Sequence, residues 1–96
     1  MHCVTEQVYD VLRGTNVITN IDTLSNWTGR CGSYLRSIWS KEMQASTDAL
    51  VVLYFKLHEQ KGKVENAAHQ AVLEDMQRLI WLNIQTRVMN KLEGIA

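Results

Sequence analysis

The sequence predicts an all-α fold of about five helices. It reads as a single helical domain over residues 1–96, with a helix-turn-helix at about 20–40 and a long C-terminal helix at about 64–92. Three observations predict it. Within NIDTLSNWTGRCGSYLRSIWS (20–40), Gly29 follows Ser25 by four residues, and Leu35 and Ile38 follow Gly29 by six and nine. A small residue lets a second helix approach, a glycine supplies the turn's unusual backbone angles, and paired apolar positions bury the second helix while its other face stays free. From Val64 to Leu92 there is neither glycine nor proline, which leaves room for one helix of about 40 Å. The strand-like run ALVVLYFKL (49–57) has no partner strand elsewhere in the chain, so it reads as a helix.

Over Thr5–Arg13, Val8, Val11 and Leu12 recur at helical spacing, with Thr5 able to cap and Gly14 expected to end the turn. His2 and Cys3 stand side by side at the terminus, where no metal site is expected. Residues 14–19 connect to a second helix capped by Asn20 or Asp22 and running to about Thr28, with Trp27 in the core. The third helix should begin between Cys31 and Ser33 and continue to Ser40. If Leu35, Ile38 and Trp39 face inward, then Gly32, Ser33, Arg36, Ser37 and Ser40 lie on or near the outer face. A fourth helix within 44–60 opens on Ser46 or Thr47 as cap with Asp48 in its first turn, and Tyr54 and Phe55 fall in its core face. Gly62 reads as its stop.

The last helix carries two apolar faces. Leu73, Met76, Ile80, Ile84 and Val88 form one broad stripe, and Ala68, Val72, Leu79 and Met89 lie on another side, with Leu82 between them. A single core needs one stripe, so the second points to a homodimer through Val72, Leu79, Leu82 and Met89. The competing reading is a helix that breaks midway and folds back. Polar residues such as Asp75 and Asn83 interrupt every strict heptad register.

Composition bounds the rest. Ninety-six residues with 46% hydrophobic and 21% charged side chains describe an ordinary globular domain, and at this size roughly 60–70% of the unfolded surface is buried, enough for a core without metal or disulfide. The longest apolar run, Ala49–Phe55, is far short of a membrane span, and no signal core is present, so a cytoplasmic location is expected. Cys3 and Cys31 show no metal-ligand spacing and read as free thiols in a reducing compartment. Ten basic and ten acidic side chains cancel. The net charge is −2 over residues 1–29 and +2 over 30–56, so the positive excess lies on the third helix and the residues immediately C-terminal to it. Formal neutrality predicts poor non-specific affinity for nucleic acid.

At these residues a resemblance becomes nameable. The 20–40 segment is similar to the helix-turn-helix of phage-repressor-like (lambda-repressor-like, XRE-type) DNA-binding domains. More narrowly, WTGRCGSYLRSI followed by STDALVVL resembles a group of short alphaproteobacterial proteins with a WLGRSxSY…PSxxAL pattern and no assigned function. Arg30 stands where the larger family usually has an apolar residue, and Ala45 where it often has a proline. The resemblance implies that the third helix enters the major groove of double-stranded DNA. Arg36 is then the candidate reader of guanine O6 and N7, with Ser33 and Ser37 bonding base edges or phosphates, and Arg30 and Lys41 flanking as phosphate contacts.

No phosphate-cradling glycine loop, HExxH, CxxC or nucleophile elbow occurs, so no catalytic residue, metal or cofactor is predicted. Cys31 beside Arg30 at a helix start is a candidate for a lowered thiol pKa and a redox role. The expectation is a bacterial or phage DNA-binding regulator of transcription. The alternative is an antiactivator or adaptor, a protein–protein module whose helix-turn-helix no longer reads DNA and whose C-terminal helix captures a protein partner.

Overall fold

The computed structural model describes residues 3–95, which form five α-helices and, among the described residues, no strand: α1 (Val4–Gly14), α2 (Ile21–Trp27), α3 (Tyr34–Ser40), α4 (Thr47–Lys63) and α5 (Ala67–Ile95). His2 lies outside the described residues. Apolar spacing explains most of the fold. Val8 and Leu12 of α1, Leu24 of α2, Leu35 and Ile38 of α3, and Leu50, Leu53 and Leu57 of α4 close one core with Leu73, Met76, Ile80 and Ile84 of α5.

α4 and α5 are antiparallel across a three-residue link. The side-chain amide of Gln77 donates to the Tyr54 carbonyl (3.5 Å), and further along α5 the Arg87 guanidinium donates to the carbonyl of Ala45 (2.6 Å) and to Thr47 Oγ1 (3.2 Å), at the start of α4. α5 runs unbroken for 29 residues, about 43 Å at 1.5 Å per residue, and so spans the molecule's long axis of 46 Å. It does not fold back.

Helix ends depart from expectation for identifiable reasons. Gly14 and Gly62 fall inside the last turns of α1 and α4 rather than beyond them. The left-handed residue after α1 is Asn16 (φ 63°), where the Val17 amide reaches the Leu12 carbonyl at 2.9 Å. α4 covers 47–63, with Ser46 capping the Ala49 amide at 3.1 Å, and it stops because Val64 turns extended. Asn66 then caps α5 through the amides of Ala68 (2.8 Å) and His69 (3.1 Å). Thr5 does not cap α1. It is buried and accepts the indole N–H of Trp39 at 2.9 Å.

Two burial expectations fail as well. Phe55 is 64% exposed, because it sits on the crest of α4 opposite Leu50, Leu53 and Leu57. Val88 is exposed because α5 outruns the core that buries Leu73 to Ile84. Trp27, Trp39 and Tyr54 are half-buried against the core.

The end of α3 holds a non-glycine residue in a glycine-like conformation. Glu42 has φ 56°, the Glu42 amide donates to the Trp39 carbonyl (3.0 Å), and the Met43 amide donates to the Ile38 carbonyl (2.8 Å). This is a Schellman closure, whose left-handed position favours glycine. Glu42→Gly is therefore expected to raise stability by about 0.5–1 kcal/mol. A higher urea midpoint at unchanged helicity checks it.

Candidate nucleic-acid interface

α3 is seven residues long, too short to persist alone in water. α2 holds it. Ser25 is buried on α2, and its hydroxyl accepts the Leu35 amide at 3.1 Å, satisfying one of the unpaired N–H groups at the start of α3 that its own N-cap residue, Ser33, leaves unbonded. The Thr28 hydroxyl, also buried, donates to the Ser25 carbonyl and closes the end of α2. Asn20 caps the other end through the Thr23 amide at 2.9 Å. Between the helices, Gly29 takes φ 78°, and a Cβ there would stand 3.1 Å from Cγ1 of Val52 on α4. Ser25, Gly29, Leu35 and Ile38 thus occupy the small, turn and buried positions that their spacing predicts.

α3 begins at Tyr34, later than expected, because residues 28–33 form the turn. Gly32 precedes the helix and costs it no propensity. With Leu35 and Ile38 buried, Ser33, Arg36, Ser37, Ser40 and Lys41 are all exposed. Arg36 is not a lone surface cation. Its Nη2 lies 3.1 Å from Oδ1 of Asp22 on α2, with both side chains more than half exposed. An exposed pair of this kind is worth about 0.2–1 kcal/mol, enough to orient the guanidinium and too little to prevent exchange for another acceptor.

Arg30 makes contacts that its sequence position does not suggest. Its Nη2 donates to Ser46 Oγ (3.2 Å) and lies 3.5 Å from Asp48 Oδ2, and its Cζ stands 5.4 Å from the centre of the Tyr34 ring. The Tyr34 hydroxyl accepts the Ser46 amide at 3.2 Å. Arg30 and Tyr34 together fasten the turn to the start of α4. Lys41 caps the C-terminal end of α3 and makes no ion pair among the described residues.

Cys31 is exposed, with Sγ 3.4 Å from Ser33 Oγ. Its thiol pKa is lowered by the Ser33 hydroxyl first and then by the Ser33 backbone N–H; Arg30 points instead to α4. No group of histidine, cysteine and acidic side chains suited to a metal occurs among the described residues. No described helix is long and apolar enough to cross a membrane.

The residues predicted for a dimer divide into two sets. Val72 and Leu79 are half-buried against the chain's own core, whereas Leu82 and Met89 are exposed, as are Trp81, Val88 and Leu92 near them on α5. Three participants in the site escape sequence reasoning. Asp22 reads from sequence as a cap candidate only, and neither Tyr34 nor Ser46 signals a role in the turn. The available signal is position: once the helix-turn-helix is laid out, an acidic residue in the first turn of α2 stands across from Arg36.

Residues 5–93 match the model of a family of unknown function, DUF6626. No curated protein and no solved structure matches the chain.

Proposed function

We propose, for a chain that belongs to the DUF6626 family of unknown function, a role as a sequence-specific double-stranded DNA-binding protein, a small cytoplasmic regulator of transcription of the phage-repressor-like kind. One observation carries the reading. α3 turns an unbroken polar face outward, with Ser33, Arg36, Ser37, Ser40 and Lys41 exposed, while its inner face is locked to α2 through Ser25 and Leu35. A reading helix needs a free face on a fixed support.

In this reading Arg36 bonds guanine in the major groove, exchanging part of its pairing with Asp22 for O6 and N7. Asp22 shapes the choice. Its carboxylate repels phosphate, so the pair gains little from arbitrary DNA and most from a base that offers Arg36 two acceptors. Ser33 and Ser37 bond base edges or phosphates, and Lys41 contacts phosphate. Arg30 serves by holding the turn, and it reaches phosphate by giving up Ser46. A homodimer would set two α3 helices about 34 Å apart on a palindromic site.

A second reading, a protein–protein module, is favoured by the exposed apolar face of α5 and by the formal net charge of zero. Selection from a randomised duplex pool at about 100 mM salt, with wild type and Arg36→Ala in parallel, separates the two. Wild type is expected to enrich a palindrome. Arg36→Ala is expected to lose about 1–3 kcal/mol and the preference at one base pair of each half-site. Absence of any enrichment at micromolar protein overturns the DNA reading in favour of the module.

A further inference from the structure

α5 continues past the body it packs on. Arg87, anchored to Ala45 and Thr47, is followed by eight more helical residues, 88–95. Beside and beyond the buried Ile80 and Ile84, Trp81, Leu82, Val88, Met89 and Leu92 are 48%, 60%, 47%, 55% and 57% exposed. Positions 81, 85, 88 and 92 alternate steps of four and three, the spacing of a helix-pair seam, with Leu82 and Met89 along its flank. Gln85 is the one polar residue in that seam, and no charged residue falls within it. At its inner end Trp81 packs on Tyr54 (ring centres 5.7 Å apart), which in turn meets the exposed Phe55 edge-on at 5.5 Å.

We infer that this seam is closed by the same seam of a second copy. It differs from the surface the sequence suggested, because Val72 and Leu79 are occupied with the chain's own core. The five side chains expose on the order of 500 Å² of apolar surface, near the upper end of what a monomer carries in one patch. A symmetrical pair covers on the order of 1,000 Å², which reaches the threshold of a specific interface. A four–three seam fits its own copy, and identical surfaces meeting around a two-fold axis form a closed dimer that does not propagate. With a formal net charge of zero, two copies are not held apart by like charge. Gln85 sets the register, as a single amide in an apolar seam does at some cost in affinity.

This deepens the homodimer of the proposed function and is independent of whether α3 reads DNA. The test is sedimentation equilibrium of the full chain between about 1 and 100 µM, for wild type, Leu82→Asp, Met89→Asp and Gln85→Leu, with helicity followed by circular dichroism. All three positions are exposed, so each variant is expected to keep its helices. Wild type is expected to dimerise, each aspartate variant to weaken the dimer at least about tenfold, and Gln85→Leu to tighten it. A wild-type dimer that both aspartate variants leave equally tight overturns the seam and keeps the homodimer. A wild type monomeric throughout that range overturns both, and the DNA selection then stands or falls on its own.

Discussion

Leu35→Ala is expected to destabilise the protein by about 2–5 kcal/mol, the cost of truncating a fully buried leucine whose site cannot collapse. Leu35 is wholly inaccessible, it lies in the cluster that joins α2, α3 and α4, and its amide is the one that Ser25 holds. The surroundings have little room to relax. Ser25 is fixed by that hydrogen bond and Thr28 by its own, so the cavity persists. For a chain this short, with total stability of roughly 5–15 kcal/mol, such a loss is a large fraction of the whole. Urea unfolding followed by helicity measures it. A cost below about 1 kcal/mol would mean that α3 does not rest on Leu35.

Gly29→Val carries an expected cost of about 2–4 kcal/mol, from two separable sources. At φ 78° a β-branched residue is strained whatever space surrounds it, and here the added Cβ also meets Val52 Cγ1 at 3.1 Å. Combining Gly29→Val with Val52→Ala divides the cost, since the smaller residue at 52 relieves the contact and leaves the backbone strain. Recovery of about half the loss beyond that of Val52→Ala alone is expected, read from the same unfolding curves. Full recovery would show that the turn tolerates valine and that the contact alone selects glycine.

Much of this architecture is legible in the sequence because it depends on periodicity. Ser25, Gly29, Leu35 and Ile38 announce two short helices joined by a tight turn by spacing alone, and the stripe Leu73, Met76, Ile80, Ile84 marks the buried face of α5. Other features depend on where a helix runs out. Val88 belongs to the same stripe, yet it is exposed because nothing in the chain extends far enough to cover it. Gly14 and Gly62 resemble stops, but the backbone turns two residues later, at Asn16 and Val64. Glu42 is the reverse case, a left-handed position without a glycine to reveal it.

The chemistry of the site is less legible than its scaffold. Arg36, Ser33, Ser37 and Lys41 are exposed as their helical positions require. The partners that give the arginines their roles lie far away in sequence: Asp22 is fourteen residues before Arg36, and Ser46 and Asp48 are sixteen and eighteen after Arg30. Such pairings arise from how α2 and α4 are laid against the turn, and no local pattern encodes them.

Residues 45–48 also have a mechanical meaning. Arg87 grips the Ala45 carbonyl and the Thr47 hydroxyl, while Ser46 between them gives its amide to Tyr34 and accepts from Arg30, which also reaches Asp48. This short segment is a fulcrum. On one side, α5 extends beyond it as a lever arm of about 12 Å. On the other stand Arg30 and Tyr34, which fasten the turn before α3 to the start of α4. Because all these attachments are hydrogen bonds to the same four residues, displacement of the arm bears on the seat of Tyr34 and Arg30.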